Sequence, residues 1–133
     1  MTMRAYLVAV ALGMLISMPT LAQKKAEEQP IRTTIAAIQK DPDRYHKKLV
    51  QLEGTVSDYK EKTSRAGNAY TTFKLVQNDQ KITVFCYGHL KLKNDDEVVV
   101  VGRYYKEKRV GRSTFRNEID ASPREGGKIT KKE

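Results

Sequence analysis

The chain has 133 residues, 25 Lys and Arg against 16 Asp and Glu, and a formal net charge of +9. That length supports one domain with a modest core, and the single cysteine, Cys86, excludes an internal disulfide. The positive balance favours anionic partners such as nucleic acid, acidic glycans or lipid headgroups. No Ser, Cys or His triad is spelled by any motif around its two histidines, His46 and His89, so a non-enzymatic protein is expected.

Arg4 is the one charge before an unbroken apolar run over residues 5–16 (AYLVAVALGMLI). Pro19 breaks the run, and Thr20-Leu21-Ala22 supplies small residues at the positions a signal peptidase reads. This is the pattern of a cleavable secretory signal, with cleavage expected after Ala22 and a periplasmic or secreted product. The run is shorter than the roughly 20 residues that span a bilayer, so no transmembrane anchor is expected after cleavage, and no cysteine follows the site to carry a lipid. Cleavage removes Arg4 and no acid, leaving a net charge of +8.

Residues 23–32 (QKKAEEQPIR) read as a flexible leader. Thr33 or Thr34 caps a short helix over Ile35, Ala36, Ala37 and Ile38, which must end near Asp41 because Pro42 disfavours helix before it. Ile35 and Ile38 share a face and should lie against a sheet, with Tyr45 extending the contact. From Leu49 the period becomes two: Val50, Leu52, Gly54 and Val56 alternate with polar residues, and the central Gly54 marks a bend or bulge. A loop with Lys60, Lys62 and Arg65 follows. Predicted strands then run over residues 70–76, with Phe73 and Leu75 on one face, and over residues 81–87, with Ile82, Val84 and Cys86 in register. Residues 88–96 are a connector with space for one helical turn around Leu90 and Leu92. A fourth strand over residues 97–105 carries Val98–Val101 and another central glycine, Gly102. A second basic loop over residues 106–112 and a last strand over residues 114–121, with Phe115 and Ile119, complete the domain; the charged tail from residue 122 is expected to be disordered.

Five strands in this length leave few ways to hide their edges other than closure, so the expected fold is all-β with one short N-terminal helix: a five-stranded Greek-key barrel over residues 33–121. The stretches Leu49-Val50-Gln51-Leu52-Glu53-Gly54-Thr55-Val56, Val98-Val99-Val100-Val101-Gly102-Arg103-Tyr104 and Asn117-Glu118-Ile119-Asp120 resemble an OB-fold domain. With the signal peptide, the layout is similar to the small periplasmic bacterial OB-fold family and to the tRNA-anticodon-like OB domains of nucleic-acid binders. The chain departs from the common OB pattern in placing its helix before the first strand rather than between the third and fourth. It also resembles the secreted OB barrel of the periplasmic haem chaperone, but no histidine follows its last strand in the place where that family attaches haem.

OB domains that bind single strands use the face of their second and third strands, flanked by the loops joining strands one to two and four to five. The resemblance therefore makes Lys60, Lys62, Arg65, Lys108, Arg109 and Arg112 candidate phosphate contacts and Tyr70, Phe85 and Tyr87 candidate stacking platforms. If Phe73, Ile82, Val84 and Cys86 face inward, Phe85 and Tyr87 face outward beside Thr83. The expected ligand is an extended polyanion of the single-stranded nucleic-acid type. The alternative is an envelope adaptor or stress-response protein that holds another protein or a small ligand on the same face. Cys86 and His89 form a Cys-x-x-His pair, short of the three or four ligands a zinc site needs, and Cys86 reads as a buried thiol. Asp95-Asp96-Glu97 reads as a turn opening a strand, with too few oxygen ligands for calcium. No metal and no cofactor is expected.

Overall fold

The computed structural model describes residues 28–133; the expected signal peptide and the start of the leader lie outside them. The elements in chain order are β1 (Ile31–Arg32), α1 (Ile35–Lys40), α2 (Pro42–Tyr45), β2 (Leu49–Thr63), β3 (Ala69–Gln77), β4 (Gln80–Tyr87), β5 (Glu97–Val110), β6 (Ser113–Asp120), a 3-10 turn (Pro123–Glu125) and β7 (Lys128–Lys131).

Thr34 caps α1: its hydroxyl accepts from the Ala37 N–H at 3.1 Å, satisfying one of the free donors of the first turn. The helix stops at Asp41, before Pro42, as the sequence requires. Ile35, Ile38 and Tyr45 are buried in the same core as the strands. The Gln77 side chain fixes α1 on the β3–β4 end, accepting from the Ile35 N–H at 3.0 Å while its amide donates to the Glu53 carbonyl at 2.8 Å.

Pairing closes the sheet. β2, β3, β4, β6 and β5 follow one another around the barrel, and β5 returns to β2. All of these pairs are antiparallel except β4 with β6, which run parallel through Thr83, Val84 and Phe85 against Glu118, Ile119 and Asp120. This is the Greek-key order of an OB barrel. The alternation in β2 and β5 survives as Val50, Leu52, Val56, Val98, Val100 and Tyr104 pointing inward, onto Phe73, Leu75, Ile82, Val84, Cys86 and Ile119.

β2 and β5 are long, so each must serve two neighbours and coil between them. β2 pairs with β5 over Leu49–Thr55 and with β3 from Thr55 onward. Gly54 sits at that crossing: a Cβ there would lie 2.5 Å from the Val76 carbonyl oxygen. Gly102 is the counterpart in β5, where a Cβ would lie 2.6 Å from Ile119 Cγ2 and 2.8 Å from the Asp120 carbonyl oxygen. At both positions only hydrogen lets the neighbouring strand approach this closely.

Several expectations change. The two basic loops are largely strand: β2 extends to Thr63 and β5 to Val110, so each segment is the arm of a hairpin with a short turn at its tip. The leader is tied down at its end, where β1 pairs parallel with Val50 and Gln51 of β2 and Glu28 binds Arg103 at 2.7 Å. Residues 88–96 contain no helical turn; the buried Thr71 hydroxyl holds them, donating to the Gly88 carbonyl and accepting from the Leu90 N–H. The tail from residue 122 is ordered. β7 pairs with Val98–Val101 of β5 and takes up backbone groups that β5 would otherwise leave on an open edge. Its Ile129 packs on the core, Lys131 pairs with Asp96 at 3.5 Å and Lys132 with Glu53 at 2.9 Å. Charge in this tail accompanied an alternating strand rather than disorder. Among the described residues no helix is long and apolar enough to cross a membrane.

Candidate functional site: an aromatic groove between two hairpin arms

The outward face of β3 and β4 carries the aromatic residues expected from alternation. Phe73 and Cys86 turn inward, which sends Tyr70, Phe85 and Tyr87 to the other side. The register places Tyr70 across from Tyr87 and Thr72 across from Phe85. Tyr70 and Phe85 lie with centroids 5.4 Å apart and rings tilted by 31°; Phe85 and Tyr87 meet edge to face at 4.9 Å. These spacings belong to favourable aromatic pairs, so the rings hold one another in place. Tyr87 is 41% exposed.

The two hairpin arms rise on either side of these rings and enclose a groove of about 330 Å³. The β2–β3 arm contributes Lys62, Ser64 and Asn68, and the β5–β6 arm contributes Lys108, Val110 and Phe115. Val110 is 54% and Phe115 is 40% exposed. Glu118 and Asp120 of β6 complete the wall beside Phe85.

Of the nine candidates from the sequence, Lys62, Tyr70, Phe85, Tyr87 and Lys108 come together in this groove. Lys60 lies one step outside it, across from Thr72, paired with Asp58 at 3.6 Å. Arg65 and Arg112 sit in the turns at the tips of the arms, and Arg109 alternates with the groove-lining Lys108 and Val110. These three are therefore not part of the groove wall. Tyr59 is not on this face either: it packs against the core, and its hydroxyl donates to the Leu90 carbonyl.

Besides Ser64, Asn68, Thr72 and Val110, which also line the groove, four residues that bring a ring or a charge to it were not among the candidates. Phe115 was grouped with Ile119 as an apolar residue of the last strand, yet it lines the groove. Arg124 was assigned to the tail, yet its guanidinium lies 5.0 Å from the Tyr87 ring centroid, an attractive arrangement with the ring's negative face. In the sequence Glu118 and Asp120 mark only the closing strand of the barrel.

The two acids differ in their partners. Asp120 is buried and satisfied, accepting from the Ser122 N–H at 3.0 Å and from Lys108 Nζ at 3.3 Å. Lys108 Nζ also lies 4.6 Å from the Tyr105 ring centroid. Among the described residues the Glu118 side chain makes neither a hydrogen bond nor an ion pair. Burial, reinforced by the neighbouring Asp120 charge and opposed by Lys108 and Lys74, raises its carboxyl from 4.5 to about 7. A carboxyl without a donor in a half-dry wall is expected to hold its proton this firmly.

Cys86 and His89 diverge. The buried thiol contacts the Ala121 and Tyr87 carbonyls, at 3.6 and 3.4 Å, and burial pushes its pKa up, as for a structural thiol. The His89 ring instead meets the Lys62 carbonyl at 3.0 Å. His46 Nδ1 accepts from the Lys106 N–H at 3.0 Å. Asp96 closes the turn before β5, accepting from the Lys93 N–H and ammonium, each at 3.0 Å, and these contacts hold its carboxyl below the usual range.

No family model matches the chain, and no curated protein matches it. Two solved structures are similar. An OB domain from Thermoplasma acidophilum is 12% identical with a TM-score of 0.48, over 76% of this chain and 86% of that domain. A protein from Leishmania major assigned as an aspartyl-tRNA synthetase is 12% identical with a TM-score of 0.50, over 91% of this chain and 25% of its own length. At such identity the likeness concerns the fold alone. The closed strand order by itself makes the protein an all-β OB-fold barrel with short helices.

Proposed function

We propose that this protein is an exported, non-enzymatic binding module that takes a single-stranded nucleic acid, or an extended polyanion like it, along the groove between its hairpin arms. The observation that carries this reading is the array of Tyr70, Phe85 and Tyr87 on the open floor of that groove, with Lys62 and Lys108 on opposite arms. Aromatic faces accept successive bases at about 1–3 kcal/mol each, and lysines at the rims neutralise phosphates that pass outside the rings. Of the two acids, Asp120 already pairs with Lys108 at 3.3 Å, so a phosphate at that rim would share the ammonium with it, while Glu118 makes no ion pair among the described residues. Both lie along β6 within the wall, where bases rather than phosphates would be held. Export rests on residues 1–22, and the non-enzymatic reading on the lack of a nucleophile–base motif around the two histidines in the sequence.

The test is fluorescence anisotropy of a labelled single-stranded oligonucleotide against residues 23–133 across a salt series. Affinity should fall as salt rises, with a log–log slope of about −0.7 per phosphate neutralised. The Phe85→Ala, Tyr87→Ala double variant should lose on the order of 2–6 kcal/mol, two stacked bases at the magnitude above. No binding at low salt would refute the reading. The exposed Val110 and Phe115 favour a second one: an envelope adaptor or stress-response protein whose groove grips another protein or a small ligand. It predicts no oligonucleotide affinity and a partner recovered by crosslinking through the β5–β6 arm.

A further inference from the structure

The Glu118 carboxylate borders the aromatic floor in the register position next to Phe85. β6 runs parallel to β4 with Glu118 opposite Thr83 and Asp120 opposite Phe85, so Glu118 stands one outward-facing step along the strand from the ring. The charges that act on it are Asp120 from its own strand, Lys108 from β5 and Lys74 from β3. Each has another partner: Asp120 is taken by Lys108 and the Ser122 N–H, and Lys74 Nζ donates to Thr83 Oγ1 at 2.7 Å. Tyr105, across from Glu118 on β5, directs its hydroxyl to Glu125 at 3.2 Å. Of the two groove acids, Glu118 is thus the one to which no described residue donates.

A base stacked on Phe85 would present its edge to that side. A carboxylate accepts well from an exocyclic amino group, as in the pairing of Glu or Asp with cytosine N4, and poorly faces a carbonyl, which is itself an acceptor. Stacking alone cannot make this distinction, because every base has a π-face. Resting on the nucleic-acid reading above, we infer that Glu118 selects the base held on the Phe85 platform, favouring one with an amino group, such as cytosine, over uracil or thymine. The carboxyl raised to about 7 fits this role, since an N–H donor would supply what the carboxylate lacks. At pH about 8, above that value, the ionised acceptor form dominates.

The experiment compares oligo(dC), oligo(dU) and oligo(dT) of equal length at pH about 8 and low salt, with the protein as wild type and as Glu118→Gln. The dU and dT pair separates the effect of the thymine methyl. The expected result is oligo(dC) binding about tenfold tighter than oligo(dU), the lower half of the range for one good base contact, with the ratio falling toward one in Glu118→Gln. Salt-dependent binding with equal affinity for dC and dU in the wild type would overturn this inference and leave the groove reading standing. Retention of the full preference in Glu118→Gln would assign selection to another group and overturn it as well. Absence of binding to all three would overturn both readings together. Thermal unfolding of the variant identifies any loss caused by misfolding, and the wild-type ratio needs no variant.

Discussion

Replacing Glu118 with Gln should change stability in a pH-dependent way that no neutral position would reproduce. In the folded chain the carboxyl is raised from 4.5 to about 7, so between those values the folded state holds a proton that the unfolded state has released. The contribution of the neutral form to stability is complete below about pH 4.5 and is lost as pH rises through 7. At 1.36 kcal/mol per pH unit the full span is about 3 kcal/mol as an upper bound. Water still reaches part of the side chain, so screening reduces this to roughly 1–2 kcal/mol. Glutamine keeps the shape and never ionises. Its stability relative to the wild type should therefore rise by about that amount between pH 4.5 and 8, measured by urea unfolding at several pH values with a common m-value. A difference between the two proteins that stays constant across pH would refute the argument, because it would place the Glu118 carboxyl in an environment no drier than the unfolded chain.

Two further outcomes test the frame that holds the site. Gly102→Ala would force a methyl to within 2.6 Å of Ile119 and 2.8 Å of the Asp120 carbonyl, which should cost about 1–3 kcal/mol or more by overpacking; a urea midpoint equal to the wild type would show that β5 and β6 can separate freely there. Truncation after Ala121 removes β7, the Ser122 hydroxyl that accepts from the Tyr87 N–H at 3.0 Å, and the Glu125 contact to Arg103. Limited proteolysis and thermal unfolding should show a destabilised barrel, whereas an unchanged melting temperature would restore the view of the tail as an appendage.

The barrel was legible because its strands obey one rule for most of their length. Val50, Leu52, Val56, Ile82, Val84 and Cys86 alternate with partly or fully exposed partners, and that period fixes which side faces the core. Gly54 and Gly102 interrupt the pattern where β2 and β5 must coil, so even the breaks carried meaning. The N-terminal helix was equally visible, since Thr34 and Pro42 bracket it from both ends. The hairpin arms were misread as loops for a physical reason. Beyond the barrel a two-stranded ribbon has no core to face, so Lys60–Thr63 and Lys106–Val110 lack apolar alternation although their backbones remain paired. The tail failed in the same way: Ile129 is its one apolar anchor among Lys128, Lys131 and Lys132, too little for composition to separate a strand from a solvated end.

The site was legible in its floor and hidden in its walls, and the same alternation accounts for both. Within the barrel, inward neighbours guarantee that Phe85 and Tyr87 look outward. On the β5–β6 arm the rule loses its reference. Lys108 and Val110 share the parity of Tyr104, and Phe115 shares that of Ile119, yet all three line the groove. Asn117 stands between Phe115 and Ile119 with φ of 51°, a left-handed conformation that turns the strand as it leaves the barrel. Its side chain also accepts from the Tyr104 hydroxyl at 2.5 Å, fastening the turn to the core. A face that is interior at Ile119 thus becomes the wall of the groove at Phe115. A single asparagine with a positive φ leaves no periodic trace in the sequence, so the groove's apolar wall emerges only when the strand is followed in space. Glu118, beside that turn, inherits the same setting: its backbone belongs to the closed barrel while its side chain stands at the edge of the groove, which is why it is both partly dry and open to a ligand.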